Sequence, residues 1–139
     1  MDTKTYEEFQ NKFVKYFIHM SGKSFSRVEM EHDLPEKLIK DDGSELTYDL
    51  LSFGTKDTFS LALRLTMAEY FLQGKSGFLV LDDPLVDMDS GRQALAAEQI
   101  NEFAKTRQVI FLTCHPQTAE MLSGECIKMA LWCSKSVIR

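Results

Sequence analysis

Two short apolar runs, Phe78-Leu79-Val80-Leu81 and Val109-Ile110-Phe111-Leu112, limit what this chain can fold into more than any other feature. The first is stopped by Asp82, Asp83 and Pro84, the pattern of a strand buried on both faces of a parallel sheet, and the second reads the same way. Between them, Leu95, Ala96, Ile100 and Phe103 build the inward face of a helix predicted from Ser90 to Lys105, and Pro116 starts a short helix reaching Leu122. Strand, helix, strand, helix spells an α/β unit.

The upstream half adds a second pattern. Tyr6, Phe9, Phe13, Phe17 and Met20 recur at three- and four-residue spacing and predict an amphipathic helix ended by Gly22. An ordinary core-facing helix and the stump of a longer coiled coil fit that spacing equally. Segments Phe25 to Glu31, Lys37 to Lys40 and Glu45 to Tyr48 alternate in character, with the turn-forming Asp41-Asp42-Gly43-Ser44 between the last two, and predict a small antiparallel sheet. Past Ser52 an apolar belt from Phe59 through Leu65, Met67 and Ala68 to Phe71 and Leu72 predicts a central helix buried on most sides. The tail from Ile127 to Cys133 reads as a candidate further strand. The expected organisation is the end of a coiled-coil-like helix over residues 1–22 followed by one lobe over 23–139.

At 139 residues and 44% apolar content the chain supplies one core, and two independent domains would not fit. No apolar run approaches the roughly 20 residues that cross a bilayer and no signal-peptide pattern follows Met1, so a soluble, cytoplasmic chain without a membrane partner is expected. Cys114, Cys126 and Cys133 form no CxxC pair, which points to reduced thiols rather than a disulfide framework or a zinc site. A net charge of -5 disfavours a broad nucleic-acid footprint on this piece alone.

Chemistry enters through three elements in order. Leu51 to Asp57 lies where the small sheet gives way to the central helix, and a hydroxyl and a glycine at a helix N-terminus suit an anion; taken alone, Ser52 or Thr55 is equally a helix cap. Asp82 and Asp83 end an apolar strand, where α/β sheets place their ligands; taken alone, Asp-Asp-Pro is also an ordinary turn. In nucleotide hydrolases the first such acid, Asp82 here, helps hold Mg²⁺, and the second, Asp83, is placed to orient or deprotonate the attacking water. His115 leaves the second strand through Thr113 and Cys114, which would put it on the same sheet rim as the two acids. His19, His32 and Arg64 have no such setting.

These elements resemble the motifs of ABC-type ATPase heads. Leu51-Ser-Phe-Gly-Thr55 looks like the signature motif, Phe78-Leu-Val-Leu-Asp-Asp83 like a Walker B strand, Val86-Asp-Met-Asp89 like the D-loop and Thr113-Cys-His115 like the switch-histidine loop. The flavour is similar to SMC, RecF and RecN proteins and closest to YhaN-like ATPases, in which Leu-Ser-x-Gly-Thr leads into a Leu-Ala-Leu-Arg-Leu helix, as in Leu61 to Leu65. The resemblance covers roughly Phe25 to Leu122. It implies the C-terminal half of a P-loop NTPase head: ATP and Mg²⁺ as cofactors, Ser52 and Gly54 with their neighbour Thr55 against the γ-phosphate of ATP on the opposite subunit, Asp89 in communication across the dimer, Asp82 as the metal ligand, and Asp83 and His115 in catalysis. It further implies a second head in a homodimer, and DNA reached through the full-length protein in repair or chromosome maintenance. Asp83 departs from the family pattern, since many ABC proteins carry the longer Glu there.

A Walker A loop needs Gly-x-x-x-x-Gly-Lys-Ser/Thr between a strand and a helix. Gly22-Lys23-Ser24 and Gly74-Lys75-Ser76 carry only the tail of that motif, with Phe17 and Glu69 at the first glycine's position, and each follows a helix. The expectation is therefore a lobe inactive alone, completed by the Walker A lobe of the same protein. The alternative is a non-catalytic interaction module that keeps the engagement surface. An exposed apolar face is expected where the absent lobe docks.

Overall fold

The computed structural model describes residues 3–31 and 34–129. The amphipathic spacing near the start becomes α1 (Thr3–Met20), with Phe13, Phe17 and Met20 buried. Its end is a Schellman motif: the Lys23 N–H donates to the Ile18 carbonyl at 3.3 Å and the Gly22 N–H to the His19 carbonyl at 3.1 Å, with Gly22 at φ +65°.

The alternating segments form an antiparallel sheet, β1 (Phe25–Glu31), β2 (Leu34–Lys40) and β3 (Glu45–Thr47), in that spatial order. Val28 faces Leu38 across the first pair, and both are buried. β2 begins three residues before the predicted Lys37, because its pairing with β1 runs back to Glu31↔Leu34. β3 stops at Thr47, and Tyr48 opens a short 3-10 turn, Tyr48–Leu50. The β2–β3 turn is closed by Gly43 at φ +82° and by the Ser44 N–H donating to Asp42 Oδ1 at 2.8 Å.

α2 (Phe53–Phe71) packs against α1 through aromatic rings, Phe13 to Phe59 at 4.6 Å between centroids and Phe17 to Phe59 at 5.8 Å, while Phe17 also meets Phe25 of β1 at 5.5 Å. Such pairs add about 0.5–1.5 kcal/mol each beyond the area they bury. Buried threonines on α2 are satisfied locally, Thr58 Oγ1 donating to the Gly54 carbonyl at 2.7 Å and Thr66 Oγ1 to Ala62 at 2.8 Å. Toward its end α2 differs from the expectation of burial on most sides: Met67, Tyr70 and Phe71 are exposed.

The predicted α/β unit is present as β4 (Phe78–Asp82), α3 (Ser90–Ala104), β5 (Gln108–Leu112) and α4 (Pro116–Met121), with β4 and β5 parallel and in register from Phe78↔Gln108 to Asp82↔Leu112. Leu79, Leu81, Val109 and Phe111 join the core, with Leu81 fully buried. The expectation of burial on both faces is not met, since Phe78, Val80, Ile110 and Leu112 alternate onto an exposed face. Residues 123–129 form no strand and Ile127 and Met129 are exposed, while the rest of the predicted tail strand lies outside the described residues. Among the described residues no helix is long and apolar enough to cross a membrane.

Candidate active site

The first group of predicted residues gathers at the start of α2. Ser52 has extended backbone and is the N-cap: its Oγ accepts from the Thr55 N–H at 3.3 Å and lies 2.9 Å from the Thr55 hydroxyl. Capping leaves the next N–H groups, those of Phe53 and Gly54, ahead of any carbonyl they could reach within the helix. Ser52 is exposed, whereas Gly54 and Thr55 are buried. Gly54 is required by crowding rather than by its dihedral angles, because a Cβ there would lie 2.6 Å from the Asp87 carbonyl oxygen. The signature-like turn is therefore pressed directly against the backbone of the loop that ends in Asp89.

Asp89 is the N-cap of α3, its Oδ1 accepting from the Arg92 N–H at 3.0 Å. Arg92 then joins the two caps. Its Nη1 donates to Thr55 Oγ1 at 2.7 Å, and its Nε lies 3.4 Å from Asp89 Oδ2. The sequence reading missed Arg92. The available signal was a cation in the first turn of a helix, which runs against the helix dipole and needs a local partner. Nearby, the Asp57 carboxyl is held above the ordinary carboxylate range, first by partial burial and then by the charge and hydrogen bond of Asp87, with Arg64 opposing.

The second group gathers on the rim where β4 and β5 end. Asp83 has φ +44°, an uncommon conformation for a residue with a Cβ, and its N–H donates to the Leu112 carbonyl at 2.9 Å, extending the parallel pairing by one residue. Its carboxylate is held from β5: Thr113 Oγ1 donates to Oδ1 at 2.7 Å, and His115 Nε2 lies 3.4 Å from Oδ2. The His115 N–H donates to Thr113 Oγ1 at 3.0 Å, so one threonine orients both residues. Cys114 Sγ lies 3.6 Å from Asp83 Oδ2. Asp82 ends β4 one residue earlier and is exposed.

Asp83 and His115 are thus brought together, and Ser52, Gly54, Thr55 and Asp89 are brought together through Arg92 and Asp87. Among the described residues no hydrogen bond or ion pair joins the two groups. The loop between β4 and α3 links them and is anchored by buried Leu85 and Met88.

No family model matches the chain. It is 30% identical over 97 residues to the DNA double-strand break repair Rad50 ATPase of Methanocaldococcus jannaschii, a match that takes in 70% of this chain and 10% of that protein. It is 31% identical over 96 residues to the protein of the same description from Sulfurisphaera tokodaii, covering 68% of this chain and 11% of that one. The chain therefore spans about a tenth of the curated relatives it matches. Among solved structures, a chain from work on ATP-driven dimerization and DNA-stimulated activation of SMC ATPases superposes with a TM-score of 0.70 at 18% identity, covering 86% of this chain and 75% of that chain. The SMC head domain from Thermotoga maritima gives 0.63 at 21% identity, covering 86% of this chain and 42% of that one.

The fold is the C-terminal lobe of an ABC-type ATPase head. Within that class the chain belongs to the SMC and Rad50-like group.

Proposed function

We propose that this lobe supplies the signature, Walker B and switch-histidine elements of an ATPase that binds and hydrolyses ATP between two engaged heads, in the service of DNA repair or chromosome maintenance. The observation that carries this reading is the Asp83 carboxylate, fixed at the sheet rim by Thr113 and His115 in a strained backbone conformation of the kind found at functional sites. A carboxylate so held can accept a proton from a water, and a histidine beside it can hydrogen-bond a phosphate oxygen or that water. The Asp83 side chain is one methylene shorter than Glu, and its strained backbone sets where that shorter carboxylate is presented.

The donors fit the cofactors. Asp82 and Asp83 present carboxylate oxygens, the ligands Mg²⁺ prefers, and Asp82 is the exposed one left free to take the ion with phosphate oxygens. The exposed Ser52 hydroxyl and the first N–H groups of α2 suit a phosphate approaching from another subunit. Bound Mg²⁺ would neutralise charge on the transferring phosphoryl group. Arg92 and Asp89 act at one remove, holding the Ser52–Thr55 turn and the loop before α3 as one piece. The N-terminal lobe of the same protein supplies Walker A, the second head faces the Ser52 corner, and α1 continues into a coiled coil.

The test is ATP hydrolysis by this chain mixed with the Walker A lobe from the same gene, beside an Asp83→Asn version. Hydrolysis that needs both lobes and falls by at least about 100-fold in the variant is expected, the scale of a lost general base. A stable, ATP-binding complex that does not hydrolyse overturns the catalytic reading and leaves a non-catalytic engagement module.

A further inference from the structure

The rim of β4 and β5 holds one donor that ATP hydrolysis does not call for, the Cys114 thiol beside Asp83 and His115. Asp83, Cys114 and His115 each offer one ligand atom, and these atoms all lie within 4.8 Å of one another. A thiol is a poor ligand for Mg²⁺, whereas a carboxylate, an imidazole and a thiolate together suit a borderline-soft ion. We propose that these three side chains form a Zn²⁺ site, with the fourth position open to water.

Two of the three donor separations match tetrahedral geometry. With ordinary zinc bond lengths, the edges of a tetrahedron are about 3.3 Å between nitrogen and oxygen donors and about 3.5 Å between sulfur and oxygen. The structure has 3.4 Å from His115 Nε2 to Asp83 Oδ2 and 3.6 Å from Cys114 Sγ to the same oxygen. The third separation, His115 to Cys114, is at most 4.8 Å, so an entering ion would draw these two side chains onto it. Supporting contacts are already built, since Thr113 Oγ1 donates to the other carboxylate oxygen and accepts from the His115 N–H. Cys114 and His115 are exposed, which leaves an entry path. On binding, the Cys114 thiol gives up its proton to solvent and the thiolate ligates. The occupied site would tie up both Asp83 and His115, so zinc would act as an inhibitor of hydrolysis. That consequence rests on the proposed function, while zinc binding does not.

The experiment is titration of this chain with Zn²⁺ by calorimetry and with Co²⁺ by absorption spectroscopy, in excess Mg²⁺. One ion per chain is expected, with a thiolate-to-cobalt charge-transfer band and the intense visible absorption of tetrahedral Co²⁺. Cys114→Ser and His115→Ala should each weaken zinc binding by more than the roughly 10–100-fold that loss of a mere supporting group costs. Cys126→Ser, which removes another exposed thiol, should leave it unchanged. Zinc uptake that survives Cys114→Ser or disappears in Cys126→Ser, or cobalt that stays octahedral without the thiolate band, overturns the site. In the two-lobe mixture the ratio of rates with and without zinc, taken within each protein, should fall for the parent and stay near one for Cys114→Ser. Zinc binding to a chain whose two-lobe mixture never hydrolyses ATP would uphold the site while overturning the functional reading.

Discussion

The two corners of this lobe that carry its chemistry are built differently. At the start of α2 the polar groups are largely consumed internally: Ser52 and Asp89 cap their helices, Arg92 bridges them, and Gly54 lies under the Asp87 carbonyl. Where β4 and β5 end, Asp83 and His115 are tied to each other, yet the strands that deliver them show solvent an apolar face of Phe78, Val80, Ile110 and Leu112. Among the described residues, one corner is closed by its own contacts and the other leaves an apolar face open. Parallel strands are ordinarily covered on both faces, so under the proposed function this open face is where the Walker A lobe would dock.

The comparison would be broken most sharply at Gly54. Gly54→Ala forces backbone against backbone at the Asp87 carbonyl, and a loss of about 2–3 kcal/mol is expected, at the upper end for overpacking. Thermal denaturation should show this as a drop of about 3 °C per kcal/mol. An unchanged melting temperature would mean that the corner is not locked. Arg92→Ala should cost less, about 1 kcal/mol, because it removes one charge-assisted hydrogen bond to buried Thr55 and an ion pair with exposed Asp89. Chemical denaturation measures it, and Arg92→Lys should restore only part, since an ammonium cannot span both partners as a fork does. The smallest effect belongs to the open face. Val80→Thr should leave the stability of this chain within about 0.5 kcal/mol, as for other exposed substitutions. The same variant should weaken capture of the Walker A lobe in a pull-down or calorimetric titration. Destabilisation of the chain itself would show that Val80 is already covered.

Much of this architecture was legible because the signals were local. Spacing at Phe13 and Phe17 marked α1, Ser52 and Pro116 marked helix starts, and the run before Asp82 marked β4. Strand limits are less legible, since β2 reaches back to Leu34 through Pro35, a residue that by itself argues against a strand. Apolar runs also misled in one respect. Residues such as Phe78, Val80 and Phe71 have the composition of a buried core, yet they are exposed, because composition reports what a residue prefers and not what packs against it.

The sequence by itself determined the order of elements and the residue types that could meet a phosphate, because periodicity, caps and strand ends are properties of neighbouring residues. Only the tertiary structure decided that Arg92 reaches Thr55 across 37 positions and ties it to Asp89, that Gly54 lies beneath Asp87, and that Thr113 and Cys114 close around Asp83. Those contacts depend on the packing of α3 and β5 against α2 and β4. Packing of that kind is fixed by the whole core at once and leaves no mark on any short stretch of sequence.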